Sequence, residues 1–519
     1  MPRVKVLWAL FITLAAVVAA LPPLHEMDLA QHLATGEWIV RHRAVPFTEP
    51  FAWTREGQPY FAYSWLAQVA FYVLLHAFGP LALHLLEALL VGGAVVAVLW
   101  AARQFGWRDS ACFGLGVVYL TLLWGVANIL RPQQFLFVAV PLAWGVAGRI
   151  RASGITAGRL AALAGIGALA ANTHIFFPLT IIPIAYCLLS DGQPRRWAPA
   201  AGALVAGWLI NPYAFVLPQV FALNFEHNVL LDRPPSIAEF VPGFEYARQR
   251  PGVVFSVIAL LAAPWIGTQK TTAVREQMIN AAFWITGLLF FAYAGRLVFA
   301  WWTLAFPLMG NALHRLSAMA SEPLRRPFGR AAFAGLSAIV LIVSAPEISP
   351  AFWLFEGNTV HRMLPRAGED PALWLPSWLL CHTRAGANGR IFTEFNYGSE
   401  LNWRLPGYSS SIDGRTIFPD SVAVDFSFYP YGRRRTHART WTSADLALLD
   451  RAFWTAPLLD QDTAWILLAE SRRARGGSGA LWARRAWWLK WGTPTALPAR
   501  DIRPADPRAM CDLTGVFPK

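Results

Sequence analysis

Charge is scarce in this chain: 14% of its 519 residues are Asp, Glu, Lys or Arg, while 55% are hydrophobic. Apolar runs of membrane length therefore recur along the first two thirds of the sequence. Acid is the rarer sign, 31 residues against 44 basic ones, for a formal charge of +13. That excess comes without a compact basic helix or an aromatic-basic RNA motif, and nucleic acid is rejected as a partner. Cysteine is nearly absent, at four residues, and no Cys/His spacing of metal-binding type occurs. Cys112 and Cys187 fall in apolar runs. Cys381 and Cys511 fall in the polar C-terminal part, where they could form one disulfide in an oxidising compartment or stay as two thiols. No clear internal repeat is found, which argues against a transporter.

What is present is positional. Hydrophobic spans crowd residues 6–346 and then stop, leaving 173 residues of water-soluble character. Runs of 15 to 23 apolar residues give eleven candidate membrane helices, near 6–24, 80–102, 110–127, 133–150, 158–172, 175–190, 198–215, 252–267, 278–293, 297–313 and 331–346. The expectation is an α-helical polytopic membrane bundle, residues 1–346, followed by an exported α/β domain, residues 347–519. Alternate connections sort the basic residues into a set of 15, including Arg103, Arg151, Arg196 and Arg315, and a set of 8 spread over longer loops, including Arg41, Arg131 and Arg296. Positive residues stay in the cytoplasm, so the N-terminus is expected inside and the C-terminal domain outside. Residues 1–24 also fit a cleaved signal peptide, which would leave the later topology unchanged.

Two outward loops are long, 25–79 and 218–250, and loops of that length are usually functional. In the first, Asp28 and His32 are four apart, so a helix puts both on one face. As a pair they could begin a divalent metal site, although two ligands do not complete one. Asp28 reads either as a surface carboxylate or as an acid at the membrane boundary, where partial burial tunes proton transfer. Ser64–Phe78 is expected to be an amphipathic or partly embedded helix. His174 lies in a tight turn between two spans, and Glu239 in the second loop among Pro234, Pro235 and Pro242. Glu87, with His84, falls inside a span, where an acid needs a wet cavity or a partner and so could line a site.

In the C-terminal part, Gly389–Phe395, Ser409–Asp413 and Thr463–Ala469 read as strands, Gly398–Arg404 as a short helix or turn, and Ser443–Phe453 as an amphipathic helix. This alternation predicts a small α/β fold with partly parallel strands. Asp413-Gly414-Arg415 reads either as a ligand-binding turn at a strand end or as a buried structural ion pair. The domain shows no phosphate-binding Gly-rich loop and no nucleophile elbow. Arg433, Arg434, Arg435 and Arg439 suggest a solvated face or contact with anionic headgroups. Trp482, Trp487 and Trp488 could stack on sugar rings, belong to the core or face the membrane.

The first loop carries D-x-x-x-H-L-x-x-G-x-x-I, then V-P-x-x-x-P-F, then an aromatic-rich W-L-A-Q helix. There follow, in order, Arg131-Pro132, Asn172-Thr173-His174, Asn211-Pro212-Tyr213, Ile237-Ala238-Glu239-Phe240, Arg296, the run Phe395–Trp403, and Ile412-Asp413-Gly414-Arg415. The series resembles a group of bacterial multipass proteins similar in architecture to the GT-C superfamily of membrane glycosyltransferases. The resemblance implies a lipid-linked sugar donor on polyprenyl phosphate, an envelope glycan, lipid or protein acceptor, contact with membrane lipids, and action at the outer face of the inner membrane. It implies that Asp28 is the catalytic acid–base residue. His32, Glu87, His174, Glu239, Asp413 and Arg415 are candidate substrate-binding residues. Arg131 and Arg296 are candidates to meet the charge that grows on the phosphate leaving group. The chain departs from better-known members in having Leu29, not a second acid, after Asp28. The alternatives are a non-catalytic protein that binds or scaffolds lipid-linked glycans and, further off, a transporter.

Overall fold

The structure, a computed structural model, describes residues 10–16, 27–126, 130–226, 241–268, 274–319, 371–415, 417–418, 440–472 and 478–493. It is mostly helical, with a small sheet in the C-terminal region. Each apolar run expected between residues 80 and 313 coincides with helix over most of its length. Two helices, Pro80–Gln104 and Gln133–Ser153, are long and apolar enough to cross a membrane among the described residues. The run near 331–346 lies outside the described residues, and that near 6–24 is described over 10–16 alone. The chain divides into two compact units. The first comprises Met1–Pro22, Ala82–Val216 and Ile237–Thr359; the second, Pro23–Leu81, Leu217–Ser236 and Val360–Lys519.

The first unit packs helices through small residues and buried aromatic rings. The Ala157–Thr173 and Pro194–Trp208 helices approach so closely that a Cβ on Gly167 or Gly207 would overlap a backbone carbonyl of the facing helix. At one end of this pair Asn172 donates to the Ile210 carbonyl and Asn211 to the Ala171 carbonyl, both at 2.6 Å, so each side chain satisfies the other helix's terminal backbone. Trp144 stacks on Phe306 and meets Tyr186 edge-on, in a buried aromatic cluster. Arginines of the set expected inside bind turns and helix ends. Arg315 donates to the Ile266 and Thr268 carbonyls, Arg196 to those of Ile150 and Arg151, and Arg151 pairs with Asp191 at 3.0 Å.

The second unit is built on a five-stranded sheet in the order β2-β1-β3-β5-β4, with β1 Gly389–Thr393, β2 Tyr408–Ser410, β3 Leu446–Asp450, β4 Trp465–Arg472 and β5 Ser478–Arg484. β1 pairs in parallel with β2 and β3, while β5 pairs antiparallel with β3 and β4. Its side chains alternate between two cores, as the period-2 geometry of a strand requires. Ile391, Leu446, Leu448, Leu481 and Ala483 face a cluster containing Leu375, Leu379, Tyr397 and Leu401, from the Pro371–Cys381 and Phe395–Arg404 helices. Phe392, Ala447, Leu449, Ala480 and Trp482 face Ala34, Ile39, Phe51, Ala52, Tyr60 and Ala62. The segment read as a loop between two membrane spans therefore forms the second layer of the sheet's domain.

The helix expected over Ser443–Phe453 is corrected. A 3-10 turn, Thr440–Ser443, leads into β3, and Leu446 to Leu449 are all at most 1% exposed. Burial on both faces between two partner strands overrides the helix preference of Leu and Ala. Strand β5 went unread for a related reason. Its sequence Ser-Gly-Ala-Leu-Trp-Ala-Arg has little β-branched character, and its place is set by pairing on both sides.

Candidate functional site

The Met27–His42 helix opens with Asp28 in its first turn and carries His32 one turn later, as the spacing predicts. The Trp65–Phe78 helix runs beside it in the same direction. Gly36 sits against the Gln68 carbonyl and Tyr72, where a Cβ would clash, so glycine sets the approach of the two helices. The Gln68 amide nitrogen lies 3.2 Å from His32 Nδ1, and the Phe71 ring meets the imidazole edge-on. An amide donating to Nδ1 leaves the ring proton on Nε2. Asp28 and His32 are both half-buried.

Behind this helix lies a closed polar ring drawn from three distant parts of the chain. The Arg415 guanidinium donates to both oxygens of Glu49, at 2.9 and 2.8 Å, and to both oxygens of Asp413, at 2.7 and 2.5 Å. Asn402 Nδ2 bridges Asp413 Oδ2 and Gln31 Oε1, each at 2.9 Å. Gln31 reaches Thr35, Thr35 lies 3.5 Å from the Tyr60 hydroxyl, and the Tyr60 ring lies under Arg415 at 4.6 Å. The Glu49 and Asp413 side chains are fully buried and that of Arg415 is 10% exposed. Burial opposes the Arg415 charge, and the two carboxylates outweigh it, holding its pKa well above the ordinary value. Asp413 and Arg415, candidates for substrate binding, are thus joined to each other and to Glu49, which is the structural pairing that the sequence also allowed.

Asp28 meets the far side of the same turn. A Cβ placed on Gly414 would lie 3.1 Å from Asp28 Oδ1 and 3.1 Å from Ser399 Oγ, and the Gly414 N–H donates to that same hydroxyl oxygen at 3.0 Å. Asp28 therefore approaches two motifs more than three hundred and fifty positions away, the run Phe395–Trp403 and Ile412 to Arg415.

In the first unit, His174 ends the Ala157–Thr173 helix, its Nδ1 accepting the Phe176 N–H at 3.2 Å. Its ring and the Arg296 guanidinium both lie against Phe176, at 5.3 and 5.7 Å, so these two candidates share one neighbour. Arg131 is half-buried at the turn before the Gln133–Ser153 helix. Glu87 and His84 are buried, 1% and 3% exposed, and Gln134 donates to Glu87 at 3.5 Å. Glu239, Cys511 and the arginines 433–435 and 439 lie outside the described residues.

Trp482 and Trp487 are core residues and not sugar platforms. Trp482 donates to Asp460 and Trp487 to the Asn388 carbonyl, while Trp488 stacks on Trp378. Among the described residues no group of three or more His, Cys, Asp and Glu could hold a metal ion, so Asp28 and His32 gain no third ligand of those types. Sequence reasoning gives no individual role to Gln31, Glu49, Gln68 or Ser399. Polar residues one turn from Asp28 and inside the 395–403 run were the available signal. No protein-family model matches the chain, and no curated protein matches it.

Proposed function

We propose that the chain is a GT-C-like membrane glycosyltransferase that moves a sugar from a polyprenyl-phosphate carrier to a hydroxyl of an envelope acceptor. The observation that carries this reading is the meeting of Asp28 with Gly414 and Ser399. The acid singled out by the motif series sits half-buried beside two other motifs of that series, on a helix joined to a buried polar ring. In this reading the acceptor O–H gives its proton to Asp28 as its oxygen bonds the anomeric carbon. The bond from that carbon to the phosphate oxygen breaks, and its electron pair leaves on the phosphate. His32, held by Gln68, adds an imidazole on the Asp28 face of the helix.

The proposed setting is an eleven-span bundle in a bacterial inner membrane with the C-terminal domain outside. Two membrane-length apolar helices, helical runs at the other described spans, and arginines bound to turns of the set expected inside support it. Cys381 is disulfide-bonded, whereas Cys112 and Cys187 are free and buried, as suits an exported second unit. The test is sugar release from a panel of polyprenyl-phosphate sugars by the full-length protein in nanodiscs. Turnover is expected in the wild type and loss of at least about a hundredfold in Asp28→Asn. Full activity of a well-folded Asp28→Asn variant removes the mechanism. Binding of the lipid-linked sugar without turnover, with acceptor supplied, favours the glycan-binding alternative.

A further inference from the structure

The Asp28 carboxylate borders the space that a side chain at position 414 would enter. The two atoms that a Cβ on Gly414 would meet are Asp28 Oδ1 and Ser399 Oγ, both at 3.1 Å. That is tighter than most Cβ contacts, so a methyl group at position 414 would need the carboxylate or the hydroxyl to give by a few tenths of an ångström. The turn that carries it is fixed from two sides. Its N–H donates to the fully buried Ser399, and the preceding Asp413 is held by Asn402 and Arg415. Ser399 comes this close because its neighbour is glycine: a Cβ on Gly398 would overlap the Ile412 carbonyl oxygen.

We propose that Gly414 and Ser399 are positioning residues for Asp28, so that the C-terminal domain is an integral part of the catalytic site. The inference rests on the reading of Asp28 as the base. Gly414 sets how far the carboxylate can move toward the 412–415 turn. Ser399 fixes that turn by accepting the Gly414 N–H with its oxygen. Placement matters here because a displacement of about 1 Å at a reacting group can cost about a hundredfold in rate. The methyl group of alanine at position 414 would have to push Asp28 or Ser399 aside.

Two experiments on the full-length protein in nanodiscs test this. In the first, Gly414→Ala is expected to lower kcat about 10- to 100-fold, with KM for the lipid-linked donor and the unfolding midpoint unchanged. Ser399→Ala is expected to shift the acidic limb of the kcat–pH profile. Wild-type kcat in Gly414→Ala beside an inactive Asp28→Asn variant overturns the proposal and leaves the glycosyltransferase reading standing. In the second, Asp28→Cys combined with Gly414→Cys is expected to form a new disulfide, read by thiol alkylation and mass, that neither single variant shows. This readout is independent of turnover. If Asp28→Asn retains full activity or the wild type shows none, the reading of Asp28 fails while the contact is still judged. Absence of the cross-link overturns the positioning role whatever the activity.

Discussion

Arg415 and Glu49 stand 366 positions apart and form a two-bond fork, Nη1 to Oε2 at 2.9 Å and Nη2 to Oε1 at 2.8 Å, with the Glu49 side chain wholly buried. Glu49 also accepts the backbone N–H groups of Phe51 and Ala52 at 2.8 and 3.0 Å, which pins the start of the segment covering the sheet. Arg415→Ala leaves two buried carboxylates without their counter-charge and is expected to destabilise the protein by about 3–5 kcal/mol. Arg415→Lys is expected to recover less than half of that, because one ammonium cannot fork to both acids. Thermal unfolding of the detergent-purified variants checks both values.

Asn402 bridges Gln31 on the Asp28 helix and Asp413 through one side-chain nitrogen. Asn402→Leu withdraws a donor from two buried oxygens and is expected to cost about 1–3 kcal/mol. Asn402→Asp is expected to cost more, since it sets a second carboxylate beside Asp413. The reverse order in unfolding midpoints would remove the bridging role.

Helix approach in the first unit gives a paired prediction. Gly167→Ala and Gly207→Ala place a methyl group on a facing carbonyl, whereas Gly165 and Gly202, on the same two helices, have nothing within 4 Å. The first two variants are expected to lower the unfolding midpoint. The second two are expected to leave it unchanged or raise stability by about 0.4–1 kcal/mol, through reduced chain entropy.

Burial raises the pKa of Glu37 above its ordinary 4.5, and Arg41 and His76 draw it back in part. A raised folded-state value means that the folded form holds the proton more tightly than the unfolded form. Its contribution is therefore complete below 4.5 and is lost as pH rises through the raised value. Glu37→Gln is expected to flatten the dependence of the unfolding midpoint on pH just above 4.5 without lowering the midpoint at neutral pH. A variant whose profile keeps the wild-type slope shows that Glu37 is not the group responsible.

Helices were legible wherever apolar runs were long and bounded by charge, as at Pro80–Gln104 and Gln133–Ser153, because hydrophobicity and length are local properties. The Asp28–His32 face was legible too, from a spacing of four residues. Strand β3 was not. Leu-Ala-Leu-Leu carries no period that separates a doubly buried strand from a helix, and only its neighbours β1 and β5 decide. Glu49 gave no signal at all, since an isolated acid in a loop looks the same whether solvated or clamped.

By itself the sequence determined the division into an apolar helical part and a polar, partly parallel α/β part, together with the one-turn spacing of Asp28 and His32. Only the tertiary structure decided that residues 34–62 cover the sheet of a domain that begins more than three hundred positions later. It likewise decided that Asp413 and Arg415 close a buried ring and that Gly414 lies against Asp28. The physical reason is range. Periodicity and composition act within a few helical turns, whereas hydrogen-bond satisfaction and close packing are settled by whichever distant atoms arrive alongside.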